Sequence, residues 1–163
     1  MKGKKIKAVS ESGVTILETM IASAILLVGI VGVTGLLTVA TVQNQDQGQD
    51  LTRTTMYAQD KMDQLMGLSF NDSTTDTTEG TSSPGVGLSV GGSTTTATAG
   101  YVDYLDATGK PLTSSTNSFF VRKWSMSVNA GGNLKTITVV STALVTKTQG
   151  AQPTTTLVCF MTQ

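Results

Sequence analysis

The chemistry this chain can support begins with one carboxylate and one peptide bond. Glu18 stands at the edge of an apolar run from about Thr19 to Val42, and no other charge appears until Asp46. A carboxylate near the centre of a bilayer costs roughly 2.5–3.5 kcal/mol on insertion scales. At the edge the cost is smaller, but a cation is still wanted. Cutting between Gly13 and Val14 would create one, because a new α-amino group has a pKa of about 7.7–8.0 and is largely protonated at neutral pH. That amine would lie one helical turn before Glu18. A neighbouring copy, staggered along the helix, could then lay its amine against the carboxylate.

The other reactive side chains point to less. The chain has no histidine and a single cysteine, Cys159. A His–Cys metal site, a histidine-based catalytic dyad and an internal disulfide are therefore out of reach. Cys159 reads as a small apolar side chain in a final strand. Asp72, Asp76 and Glu79 miss the ligand spacing of a calcium loop and read as solvated acids. Trp124 reads as core, with Arg122 beside it covering or pairing at the sheet margin. No catalytic residue and no cofactor is expected, and the chain is not read as an enzyme.

The elements that must position Glu18 are plain. Lys2, Lys4, Lys5 and Lys7 precede the apolar run. The run reaches the roughly 20 residues that cross a bilayer. Basic residues on its N-terminal side alone put the N-terminus in the cytoplasm and the bulk of the chain outside. A secretory signal has an apolar core of only about 7–15 residues and no acid in it. A plain signal anchor accounts for the length and the lysines but not for Glu18 after Gly13. Without residues 1–13 the chain carries 7 basic and 10 acidic side chains, the wrong balance for a nucleic-acid partner.

A basic leader ending in Gly13, then Val14-Thr15-Ile16-Leu17-Glu18 and a long apolar helix, resembles the prepilin signature of type IV pilins and type II secretion pseudopilins. The continuation from Ala22 to Leu36 is most similar to the minor pilins called type IV pilus modification proteins. Val14 stands where that family usually has Phe. The resemblance implies a pilin-like α+β fold and a minor type IV pilin made in a bacterial inner membrane. A prepilin peptidase would cut after Gly13 and N-methylate Val14. Glu18 would serve assembly with other pilins and minor pilins on an inner-membrane assembly platform. The subunit would end in a pilus or periplasmic filament. A type II secretion or competence pseudopilin is the nearest alternative; a membrane-anchored binding module or adhesin is the alternative of another class.

Residues 14 to about 67 read as one helix of about 80 Å at 1.5 Å rise per residue. Its first half, 14–42, is the transmembrane and assembly half. Gly29, Gly32 and Gly35 there permit close helix packing or local deformation. The second half, 43–70, is amphipathic, with Leu51, Thr55, Ala58, Met62 and Leu65 on one face and Asp60, Lys61, Asp63 and Gln64 on the others. Of the thirty residues 71–100, twenty are Ser, Thr or Gly, which predicts a long mobile loop or weak hairpin. Residues 101–163 alternate as strands: Tyr101–Asp106, Ser118–Asn129, Leu134–Val145 and Thr154–Met161, the last at a sheet edge. Phe120, Trp124, Met126 and Val128 share one face of the second strand; Ile137, Val139, Ala143 and Val145 share one side of the third. The fold predicted is a long N-terminal helix packed against a small antiparallel sheet.

Overall fold

A computed structural model describes residues 13–81, 83–145 and 152–163. The leader assigned to 1–13, apart from Gly13, lies outside the described residues, as does Gly150 of the last loop. The chain divides into two compact units, Met1–Val42 and Gln43–Gln163. It has an α+β layout: helix α1 (Ile16–Met66) and strands β1 (Gly91–Gly92), β2 (Val102–Leu105), β3 (Pro111–Leu112), β4 (Phe120–Val128), β5 (Leu134–Ala143) and β6 (Thr154–Thr162).

Within the first unit every described residue is exposed. The helix starts where a hydroxyl can satisfy a free amide: the Glu18 N–H donates to Thr15 Oγ1 at 3.3 Å. Apolar side chains such as Ile16, Ile25, Ile30 and Leu36 point outward along its length. The hydroxyls among them turn back onto the helix. Thr19 donates to Ile16 O, Ser23 to Thr19 O, Thr34 to Ile30 O, Thr38 to Thr34 O and Thr41 to Leu37 O. A hydroxyl satisfied by its own helix backbone needs no water, the condition for residing in lipid. By length and composition this helix is able to cross a membrane.

In the second unit the sheet order is β3-β2-β4-β5-β6, with β1 paired to β4, and every pairing is antiparallel. The hairpin joining β4 and β5 is set by Asn129, whose Oδ1 accepts the amides of Asn133 and Leu134. β4 lies centrally, between β5 and the pair β2 and β1. Ala58, Met62 and Leu65 from the helix meet Trp124, Met126, Ile137 and Val139 from β4 and β5 in the main core. Tyr57 packs edge-on to Phe120 at 5.0 Å in a second cluster with Leu105 and Ala143. β6 ends the sheet as an edge strand, as its sequence predicts.

Several faces differ from the sequence reading. The buried helix stripe is Thr54, Ala58, Lys61, Met62 and Leu65. Ala58, Met62 and Leu65 are buried as the sequence reading has them, whereas Leu51 is half exposed and Thr55 only partly buried. Val128 and Val145 are also exposed in good part, lying at or past the end of their strands. The described residues of 71–100 hold only the two-residue β1, yet they are tied to the sheet at several points. Leu88 and Thr77 are buried, and Tyr101 donates its hydroxyl to Ser89 O at 2.9 Å. Burying one leucine contributes about 1.5–3 kcal/mol, so a single aliphatic residue does much to fasten a polar loop. Gly92, at φ +78°, passes so close to β4 that a Cβ there would sit 2.3 Å from Trp124 O. Only glycine fits that approach.

Candidate functional site

The residues singled out by sequence lie in the first unit. Gly13 precedes the helix in an open setting: a Cβ placed on it would meet nothing within 4 Å. Val14 follows, exposed and outside the helix. Thr15 caps, and Glu18 is the third helical residue, completing the Thr-x-x-Glu spacing of a capping box. A carboxylate in the first turn also faces the positive end of the helix dipole. Among the described residues no cation is paired with Glu18. Gly29, Gly32 and Gly35 leave the helix surface open, with nothing within 4 Å of an added Cβ at any of them.

The second unit holds a charge cluster that sequence reasoning missed. Asp103 on β2 is fully buried. Its Oδ2 lies 2.7 Å from Lys61 Nζ and 2.9 Å from Arg122 Nη2. Its Oδ1 accepts the Glu79 N–H at 2.7 Å. Glu79 closes the ring, with Oε2 2.8 Å from Arg122 Nη2 and Oε1 3.7 Å from Lys61 Nζ. Arg122 Nη1 reaches Asp60 Oδ2 at 2.9 Å. Lys61 further donates to Thr77 O at 2.7 Å and sits 4.6 Å from the centre of the Trp124 ring. Burial pushes the Lys61 ammonium below its usual range, and the Asp103 carboxylate opposes that shift.

Three sequence expectations are corrected by this cluster. Glu79 is not a solvated loop acid but pairs with Arg122. Lys61 is not on an outer helix face, and Arg122 is not at the sheet margin; both are buried on the core side. The periodicity carried the signal. Arg122 shares the parity of Phe120, Trp124 and Met126, and Lys61 falls between Ala58 and Leu65 at spacings of three and four. Lys135 repeats the pattern on β5, in phase with Ile137 and Val139. Its ammonium donates to Phe70 O and, at 2.9 Å, to Leu88 O, and it stands over the Phe70 ring.

Chemically the cluster is a clamp. It joins the helix (Asp60, Lys61), the polar loop (Thr77, Glu79), β2 (Asp103) and β4 (Arg122), with Asp103 accepting from three donors. Among these residues there is no nucleophile poised beside a base. The loop acids accept hydrogen bonds that close their own turns. Asp72 accepts the Thr75 amide and hydroxyl and the Thr74 amide, Asp76 the Thr78 hydroxyl and amide, and Asp106 the Thr108 hydroxyl and the Lys110 amide. Those bonds hold all three carboxyls below their ordinary value. Among the described residues no group of acidic, histidine or cysteine side chains is arranged to hold a metal. No known protein family, characterised protein or solved structure shows a significant match to the chain.

Proposed function

We propose that this chain is a minor type IV pilin, a structural subunit that does no chemistry of its own. A prepilin peptidase would cut after Gly13 and methylate Val14. The apolar helix would hold the subunit in the inner membrane and then among other pilins in a filament or its priming complex. The observation that carries this reading is Glu18: a carboxylate at the start of an exposed helical stretch without other charge up to Asp46, one turn from a bond whose cleavage would supply an amine. The inward-turned hydroxyls of Thr34, Thr38 and Thr41 support the same setting, since they leave the helix surface without unmet polar groups. The test is the intact mass of the protein recovered from membranes. The expected product lacks residues 1–13 and carries one added methyl group; a chain beginning at Met1 refutes the proposal.

The capping geometry favours a second reading, a membrane-anchored module in which Glu18 has only a local role. Glutamine separates the two. It keeps the capping-box hydrogen bond and loses the charge. Under the pilin reading, Glu18→Gln leaves cleavage intact and lowers filament incorporation, because an amine is stranded in an apolar helix bundle. Under the anchored-module reading the same variant behaves as wild type.

A further inference from the structure

The second unit has a recess of about 260 Å³ where the helix passes one end of the sheet. The sheet contributes Phe119, Phe120 and Val145 to its walls, and the helix contributes Asp46, Asp50 and Arg53. Phe119 and Val145 are 39% and 51% exposed, so apolar surface is left open here. Asp46 and Asp50 are half-buried, and among the described residues no cation lies within 4 Å of either. Carboxylates four residues apart on a helix repel each other, and an apolar wall strengthens that repulsion by lowering the local dielectric. Such a recess suits a cation on an apolar stem, which is the form of a lysine side chain. The same chain has an unmatched lysine. Among the described residues the side chains of Arg53, Lys61, Arg122, Lys123 and Lys135 all have hydrogen-bond partners. Lys110 is exposed, and no acid lies within 4 Å of its ammonium among the described residues. The turn that carries it is firmly held. Asp106 Oδ1 accepts the Lys110 amide, and the Asp106 N–H donates to Lys110 O. Gly109, at φ +89°, lies so close to Tyr57 that a Cβ there would sit 2.6 Å from its hydroxyl.

We propose that the Lys110 side chain of one copy enters this recess in a second copy, its stem on Phe119 and Val145 and its ammonium between Asp46 and Asp50. Lysine and recess belong to one end of the sheet: Arg53 Nη1 donates to Ala107 O at 3.2 Å, and Ala107 itself lines the recess. Copies held in one membrane with the same orientation therefore present the two at a similar height. Four residues separate the acids, about 6 Å of helical rise. The recess thus accommodates the one-turn stagger that brings the Val14 amine of one copy to Glu18 of another. Joining two different patches makes a head-to-tail contact, which repeats without turning any copy over when the rotation axis follows the helix. Contacts of that kind build rings or open filaments. The proposal rests on the shared membrane orientation in the pilin reading, not on cleavage of the leader.

The full chain recovered from membranes, half of it labelled with heavy nitrogen, is mixed, returned to lipid vesicles and treated with a water-soluble carbodiimide. The reagent activates a carboxylate, a touching amine displaces it to form an amide, and the reagent leaves as the urea with the carboxylate oxygen. Mass spectrometry of the digest is expected to find Lys110 joined to Asp46 or Asp50, with one light and one heavy partner. Lys110→Gln should lower the yield of linked dimer at least tenfold. Asp63→Asn, which removes an exposed acid elsewhere on the helix, should leave it unchanged. Chains with Lys110→Glu and chains with Asp46→Lys and Asp50→Lys should each fail to link through these positions alone and should link when mixed. A link confined to single chains overturns the contact, as does one from the two acids only to Lys147, which lies outside the described residues. No link, or a yield indifferent to Lys110→Gln, does the same. Intact mass on the same preparation separates this contact from the pilin reading. A linking chain that begins at Met1 keeps the contact and loses the pilin function, whereas a trimmed, methylated chain that does not link loses the contact alone.

Discussion

Replacing Asp103 with asparagine removes one charge and almost no volume from the centre of the clamp. Asp103 Oδ2 lies 2.7 Å from Lys61 Nζ and 2.9 Å from Arg122 Nη2. At an effective dielectric constant near 20 each contact carries about 6 kcal/mol of gross attraction, most of it offset by desolvation of the ions. The net cost of leaving buried cations short of their anion is about 3–5 kcal/mol. The other acids compensate poorly. Asp60 is exposed, and Glu79 already bonds Arg122. Trp124 is the single tryptophan, is fully buried and stands beside Lys61, so its fluorescence follows this unit during urea unfolding. Asp103→Asn should lower the unfolding free energy by about 3–5 kcal/mol. The triple variant Lys61→Met, Asp103→Leu, Arg122→Met should recover most of that, because apolar replacement of a whole buried ion cluster is often neutral or stabilising.

The pH dependence of the same variant supplies a second check. Lys61 has its pKa lowered by burial from an ordinary 10.5, with Asp103 working against that shift. A lysine whose folded pKa is lowered is penalised while charged, and the penalty is relieved as pH rises from the folded value towards the unfolded one. Asparagine removes the opposing pull and widens that window. The deficit of Asp103→Asn should therefore shrink on the alkaline side, and adding Lys61→Met should abolish that pH dependence. A loss below about 1 kcal/mol for Asp103→Asn at neutral pH, a typical value for a surface pair, would show that the cluster is not the clamp described.

Acid should weaken the fold through the turn carboxylates. Asp106 is held below 3.8 first by the Thr108 hydroxyl and then by the Lys110 amide. Its contribution is present above the unfolded value and lost as pH falls through the folded one. Urea midpoints followed by Trp124 fluorescence should drop below that value, and Asp106→Asn should flatten part of the drop. Leu88→Ala should cost about 2–5 kcal/mol by opening a cavity where the loop is anchored. It should also speed limited proteolysis within residues 71–100 relative to the strands. Alanine at Gly29, Gly32 and Gly35 together meets no steric obstacle on the isolated helix and should raise its stability by about 1 kcal/mol per site. If these glycines serve deformation or close packing, filament incorporation will fall despite that gain; unchanged incorporation discards the idea.

The strands are legible because their periodicity is strong and their turns are chemically specific. β4, β5 and β6 begin within two residues of the alternating segments, and Asn129 with Gly132, at φ +71°, makes the hairpin that Ala130–Asn133 suggests. Among the described strands β6 pairs with β5 alone, which sets it at the edge. The helix is legible as an element, and Ala58, Met62 and Leu65 of its expected face are buried, but the N-terminal part of that face is not as read. Leu51 and Thr55 complete a tidy row, whereas the core takes Thr54 and Lys61, because the sheet covers only the part of the helix that faces Trp124 and Ile137. The loop 71–100 escapes composition altogether. Its attachment runs through Leu88 in the core, Thr77 on the helix lysine Lys61, Glu79 on Asp103, Ser89 on Tyr101 and the short pairing of β1 with β4, each useful only because a distant element offers it a partner.

Charge is where periodicity and the rule that charges stay outside give opposite answers. Arg122, Lys61 and Lys135 all occupy apolar phases, and all three are buried with partners contributed from distant parts of the sequence. A single sequence shows the phase but not the partner, so the cheaper assumption of an exposed charge prevails. Glu18 poses the same problem in a different solvent. It too occupies an apolar phase, and within the described residues its partner is missing. The three cations demonstrate that this chain does place charge in apolar rows where another segment completes it. Under the proposed pilin function the completing segment is a neighbouring copy, whose Val14 would offer an amine once the chain is cut after Gly13.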